Sequence, residues 1–203
     1  MTPVCIVSLI LSLSVAEPLF TDAKLFLQQP RPVLTVVVRD LVDLDSETRN
    51  IGRTETIRIL NRAGIDLLWI DATGSENPHL PPATKSYVTV VIAGQSPRGW
   101  KTSRDALGFA PARTGPYPRA YVFSDLINSY LQHFTIQGKG AYGIVLGHAI
   151  AHELGHLLIP GDAHGSGIMR PNWGYREWQQ AQEGSLLFAP DQARVLRQTL
   201  QSN

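Results

Sequence analysis

The stretch that decides how this chain is read is YGIVLGHAIAHELGHLLIPGDAHGSGIMRPNW, Tyr142 to Trp173. Up to Ile159 it is apolar almost throughout, which predicts a long, well-buried helix. Pro160 cannot continue that helix and Gly161 invites a turn, so the helix ends near Ile159. Four of the six histidines of the protein lie between His148 and Trp173. The first question is whether they hold a metal or only crowd together.

His152 and His156 are one helical turn apart, so their rings stand on the same face. Two imidazoles placed in this way can share an ion at zinc–nitrogen distances of about 2.0–2.1 Å. Burying an unpartnered imidazole in such an apolar helix costs from about 1 to several kcal/mol. A pair flanking a glutamate is therefore more economically explained by a metal than by packing. Glu153 completes HELGH, an instance of H-E-x-x-H. It projects roughly 100° around the axis from His152, wrong for a ligand beside both histidines but within reach of a water on the open side.

A third ligand must come from outside the helix. His148 lies on the same face, yet it stands about 12 Å along the axis from His156, too far to share one ion. It is read as a packing or supporting residue that donates to a carbonyl or carboxylate. Beyond the Pro160-Gly161 turn, His164 is favoured as the third ligand and Asp162 is the alternative. Three protein ligands leave zinc one open position for water, the arrangement of a catalytic site. Glu153 is then the general base, passing its proton to the departing amine of a peptide bond. Tyr175 is a candidate oxyanion partner or an ordinary surface or core tyrosine. Arg170 is read as a contact for a substrate carboxylate or as half of a salt bridge.

Outward from this helix, LTVVVRD (Leu34 to Asp40), IDLLWIDA (Ile65 to Ala72), SYVTVVIAG (Ser86 to Gly94) and RAYVF (Arg119 to Phe123) read as strands. The second is so continuously apolar that a central position is expected for it. Residues 46–63 suit a helix capped by Ser46 and stopped by Gly64. DLINSYLQHF, with Ile127, Tyr130, Leu131 and Phe134, has amphipathic spacing. Helical patterns also occupy 175–182 and 190–201. The order predicts an α/β layer whose sheet is at least partly parallel. LGFAPA, Leu107 to Ala112, is a candidate short edge strand.

At 203 residues with 43% apolar content, the chain suits one domain with a sizeable core. A net charge of +1 offers no global attraction to nucleic acid. Residues 1–16 are uncharged and mostly apolar and end in Ser14-Val15-Ala16, a pattern predicting a signal peptide, although a positive n-region is missing. A buried strand or a wrongly chosen start is the other reading of that run. The organisation expected is thus a signal at 1–16 and one domain at 17–203, with an upper part at about 34–159 and a lower part at about 160–203. A secreted or periplasmic location follows, with no membrane span after the signal. Cys5 is the lone cysteine and lies within that apolar run, so cleavage of the signal would leave neither a disulfide nor a cysteine-ligated zinc site available.

HELGHLLIPGDAHGSGIM resembles the metzincin clan of zinc peptidases, whose pattern is H-E-x-x-H-x-x-G-x-x-H followed by a methionine-containing turn. His152, Glu153 and His156 match the first ligands and base, and Met169 in GIM looks like the methionine beneath the metal. Two positions depart: Ile159 replaces the clan's glycine, and Asp162 stands where its third histidine belongs. Either a loop two residues longer brings His164 to the ion, or Asp162 binds in register. The resemblance implies a twisted mixed sheet with an antiparallel edge strand above the cleft, the active-site helix, and a small, largely irregular or helical C-terminal subdomain. It also implies a zinc endopeptidase whose protein or peptide substrate lies extended along the edge strand, for which 107–112 is the candidate. The alternative is a non-catalytic zinc-containing binding module of the same fold, although zinc binding alone has no need of Glu153.

Overall fold

The computed structural model describes residues 30–72, 80, 87–97, 106–111, 118–138, 140–161 and 163–202. The expected signal at 1–16, the domain start at 17 and the alternative ligand Asp162 lie outside these residues. Arg31–Asn203 forms one compact unit. Among the described residues no helix is long and apolar enough to cross a membrane.

The chain is a mixed α/β structure built on five strands. β1 (Val33–Asp40) is β-branched at four consecutive positions, Thr35 to Val38, all of them buried, as befits a strand covered on both faces. The chain passes through helix α1 (Ser46–Arg62) and returns as β2 (Asp66–Asp71), parallel to β1 with Leu34 opposite Leu67. β3 (Val88–Ala93) then adds in parallel on the other side of β1, and β5 (Arg119–Phe123) adds in parallel to β3. β4 (Gly108–Phe109) closes the sheet as an antiparallel edge beside β5, giving the order β2-β1-β3-β5-β4. The mixed sheet and its antiparallel edge agree with expectation, although the edge strand is only two residues long.

Two local expectations need correction. β2 is not central but the opposite edge strand, with Leu68 exposed and Leu67, Trp69 and Ile70 only half-buried. Its apolar run reflects cover on part of each face, which composition alone does not separate from a central position. The cap of α1 is Asp45, not Ser46: its carboxylate accepts from the Thr48 amide at 2.9 Å and the Thr48 hydroxyl at 2.6 Å, satisfying a helix-end donor.

β5 leads directly into α2 (Ser124–His133), and the chain then enters α3 (Ala141–Leu158). Fourteen of the eighteen residues of α3 are buried, which explains its nearly uniform apolarity. The close approach of α1 to α3 needs small residues. A Cβ on Gly147 would stand 2.6 Å from the Gly52 carbonyl oxygen, and the Thr56 hydroxyl lies 2.8 Å from the Gly52 carbonyl and 3.1 Å from that of Gly147. A short 3₁₀ turn (Gly167–Met169), α4 (Tyr175–Gln182) and α5 (Pro190–Gln201) complete the fold. Trp178, Ala181 and Leu196 from these helices join Ile150, Leu154 and Val36 in a single hydrophobic core. The part after residue 160 therefore shares the core of the part before it.

Candidate metal centre and active site

α3 delivers His152 and His156, and the returning chain delivers His164. Their ligand-type nitrogens all lie within 4.8 Å of one another. His152 Nε2 and His156 Nε2 are 3.0 Å apart, close to the roughly 3.3 Å separating two nitrogens of a tetrahedral zinc site. The three rings crowd edge to face, with centroids 4.7 Å apart for 152–156 and 4.6 Å for 156–164. His152 and His156 are half-buried and His164 is exposed, so the open side of the cluster faces solvent.

The donor set fits a divalent ion. His152 Nδ1 is 2.7 Å from the Ile168 carbonyl oxygen; a carbonyl only accepts, so Nδ1 carries the proton and Nε2 is left as a lone-pair donor toward the cluster. Burial, helped by the neighbouring imidazoles, pushes the His152 pKa down to about 4. That keeps the ring neutral, the form a ligand must have.

The turn after α3 holds this arrangement from beneath. The Ile168 carbonyl accepts from His152 and also from Trp173 Nε1 at 3.2 Å. The Met169 carbonyl accepts from the Gly165 amide at 2.9 Å, tethering the loop beside His164. Met169 is fully buried, and its sulfur sits so close to Gly155 that a Cβ there would collide with it. Gly167 adopts φ 61, and a Cβ on it would strike the Leu187 carbonyl oxygen, so this turn requires glycine.

Glu153 lines the same cleft as the three histidines, a space of about 320 Å³ that also takes in Leu107, Gly108 and Phe109 of the edge strand region. Its side chain is 4% exposed, and burial raises its carboxyl pKa to about 8. A dication beside it favours the ionised form. The cleft is thus bounded by the helix and its histidines on one side and by β4 on the other.

His148 does not join the three. Its Nδ1 lies 2.8 Å from the Ile144 carbonyl oxygen, and its ring meets Trp173 edge to face at 6.4 Å, a packing role as expected. Tyr175, the candidate oxyanion partner, is 52% exposed at the start of α4 and is not among the residues lining the cleft. Arg170 does line it, but its Nε pairs with Glu177 Oε1 at 3.2 Å, so of its two readings the salt bridge is the one formed. Reading the chain alone missed the Ile168 carbonyl, Gly108 and Trp173. The first is a backbone group without a side-chain signature. Trp173 alone had a signal, an aromatic residue four positions after the buried methionine.

Comparison with protein families, with curated proteins and with solved structures finds no match for this chain.

Proposed function

We propose that the protein is a zinc-dependent endopeptidase of metzincin type, with His152, His156 and His164 as ligands and Glu153 as general base. The observation that carries this reading is the convergence of three imidazoles and one buried carboxyl in a cleft walled by a sheet edge. Zinc bound there supplies Lewis acidity, lowering the pKa of a water and polarising a carbonyl. With zinc held there, Glu153 would be placed to accept a proton from the attacking water and pass it to the departing amine. β4 orients the substrate, since an extended peptide can add along its outer edge through backbone hydrogen bonds. The Ile168 carbonyl keeps the His152 imidazole in position, Met169 packs beneath the helix at Gly155, and the burial of Glu153 strengthens its interaction with developing charge. A site of purely structural purpose would gain nothing from a buried acid beside its open face.

The test is cleavage of casein or a mixed peptide library by the purified protein loaded with zinc. Glu153→Gln should abolish cutting while zinc content stays at one per chain. Undiminished cutting by that variant, or no stoichiometric zinc in the parent, overturns the reading.

A further inference from the structure

A cavity of about 200 Å³ lies between the sheet and the helices at the carboxyl ends of β1, β2 and β3, and no residue lining it also lines the histidine cleft. We propose that it binds a free α-amino acid with an aliphatic side chain, as a zwitterion, independently of zinc and of the chemistry at Glu153.

The position is one where open α/β sheets take ligands. β1 is flanked by β2 on one side and by β3 on the other, so the strand order reverses at β1 and its carboxyl end is a topological switch point. Ile150, which lines the cavity, stands about 200° around α3 from His152. The cavity is therefore on the far side of that helix from the metal ligands.

Burial divides the lining into a floor and a mouth. Val38, Ile92, Leu146 and Ile150 are buried and form an aliphatic floor, with half-buried Trp69 beside it. At the mouth, Asp40, Asp43 and Asp71 come from β1, the loop after it and β2, whereas Arg49 and Arg53 stand one turn apart on α1. A simple anion would meet three carboxylates there, and a simple cation two guanidinium groups. A zwitterion satisfies both signs: its carboxylate pairs with the arginines, its ammonium with Asp43 and Asp71, and its side chain enters the floor. The volume is below the about 300–1,000 Å³ of drug-sized sites, which limits the ligand to about one residue.

The charged groups do not consume one another. Arg53 Nη1 stays 4.0 Å from Asp71 Oδ2, while Asp71 Oδ1 is held by Trp69 Nε1 at 2.8 Å. The Arg49 guanidinium and the Asp43 carboxylate make no hydrogen bond or ion pair among the described residues. The loop that carries Asp43 is clamped on both sides of it, since the Asp40 carboxylate accepts from the amides of Val42 at 3.0 Å and Leu44 at 2.8 Å. Asp43 itself holds φ 54, a left-handed conformation that Gly, Asn and Asp adopt most readily. A loop fixed in this way presents its carboxylate with little ordering left to be done on binding.

The test is isothermal titration calorimetry of the full-length, zinc-loaded protein with L-leucine, which should bind saturably. Glycine lacks the side chain, N-acetyl-L-leucine the ammonium and L-leucinamide the carboxylate, and each should bind at least about 10-fold more weakly. Arg49→Gln and Asp43→Asn should each weaken leucine by a similar factor. Both replace exposed side chains, and Asn tolerates the same backbone conformation, so circular dichroism should match that of the parent. An amino acid held instead on zinc through its amine and carboxylate would bind as well as glycine as it does as leucine, and would ignore both variants. That pattern, or the absence of saturable binding at about 10 mM leucine, overturns the proposal.

Discussion

Gly108 of the edge strand stands directly against Glu153 of the long helix. A Cβ on Gly108 would lie 2.6 Å from Glu153 Cγ, 2.7 Å from Oε1 and 2.5 Å from the Tyr121 carbonyl oxygen. The carbonyl is fixed in the sheet, so an added methyl must push the edge strand or the carboxyl aside. Displacing a reacting group by about 1 Å commonly costs about 10²-fold in rate. Gly108→Ala should therefore lower kcat/KM on peptides by about that factor and cost about 1–3 kcal/mol of stability, while zinc content remains near that of the parent. Unchanged turnover would show that the edge strand does not govern the position of Glu153.

His164 is the exposed member of the cluster, and the cost of losing it is read most directly from metal binding. An ion present at 100 times its Kd stabilises the folded state by about 2.7 kcal/mol. For a unit of this size that raises Tm by about 5–10 °C. Zinc should produce such an increment in the parent and in Asp162→Ala, and a chelator should remove it. His164→Ala should lose most of it, together with stoichiometric zinc after dialysis. The reverse pattern, with metal kept by His164→Ala and lost from Asp162→Ala, would transfer the third ligand to the aspartate.

The site was more legible than the sheet around it. The spacing of His152 and His156 specifies a common helical face, and Pro160-Gly161 specifies where the chain turns back, which leaves His164 and Asp162 as candidates; the fold brings His164 to the pair. The position of β2 is a different matter. DLLWID is apolar enough for a central strand, and only long-range pairing reveals it as an edge with Leu68 outward. Gly108 is silent for the same reason: a glycine near a short strand has many explanations, and the carboxyl it accommodates is distant in sequence. The Asp45 cap was missed by one position because both Asp45 and Ser46 are good caps. Asp45 takes the role through a second bond to the Thr48 hydroxyl.

Met169 and Gly155 should be energetically coupled. The methionine sulfur fills the space that a side chain at 155 would need, with Phe188 Cε1 2.9 Å from the same point. Gly155→Ala then overpacks a fully buried contact and should cost about 1–3 kcal/mol. Met169→Leu, nearly equal in volume, should cost under about 1.5 kcal/mol. In the double variant Gly155→Ala/Met169→Ala the new methyl occupies part of the vacated space. Its loss should fall short of the sum of the losses of Gly155→Ala and Met169→Ala measured singly by at least about 0.5 kcal/mol, as read from urea unfolding midpoints. Strict additivity would mean that the two residues do not compete for one volume.

His148 should make the protein acid-sensitive. Its ring is fully buried, and among the described residues Nε2 has no hydrogen-bond partner. Burial lowers its pKa to about 4; the Ile144 carbonyl and Glu55 act weakly in the opposite direction, and Arg58 reinforces the lowering. A protonated ring would carry a second N–H with nothing to receive it. In the unfolded chain the same imidazole titrates near 6.5. Between these values unfolding takes up a proton, so the stability due to the neutral ring is complete above about pH 6.5 and is lost as pH falls toward 4. The full change is about 3 kcal/mol, at about 1.4 kcal/mol per pH unit. His148→Phe keeps a ring against Trp173 and removes the titration. Measured in chelator at pH 7 and pH 4.5, its unfolding free energy should fall by about 2–3 kcal/mol less than that of the parent. Other acid-labile groups, His152 among them, are common to both proteins and cancel in the comparison. Equal losses in the two proteins would mean that His148 is hydrated or paired in the folded state.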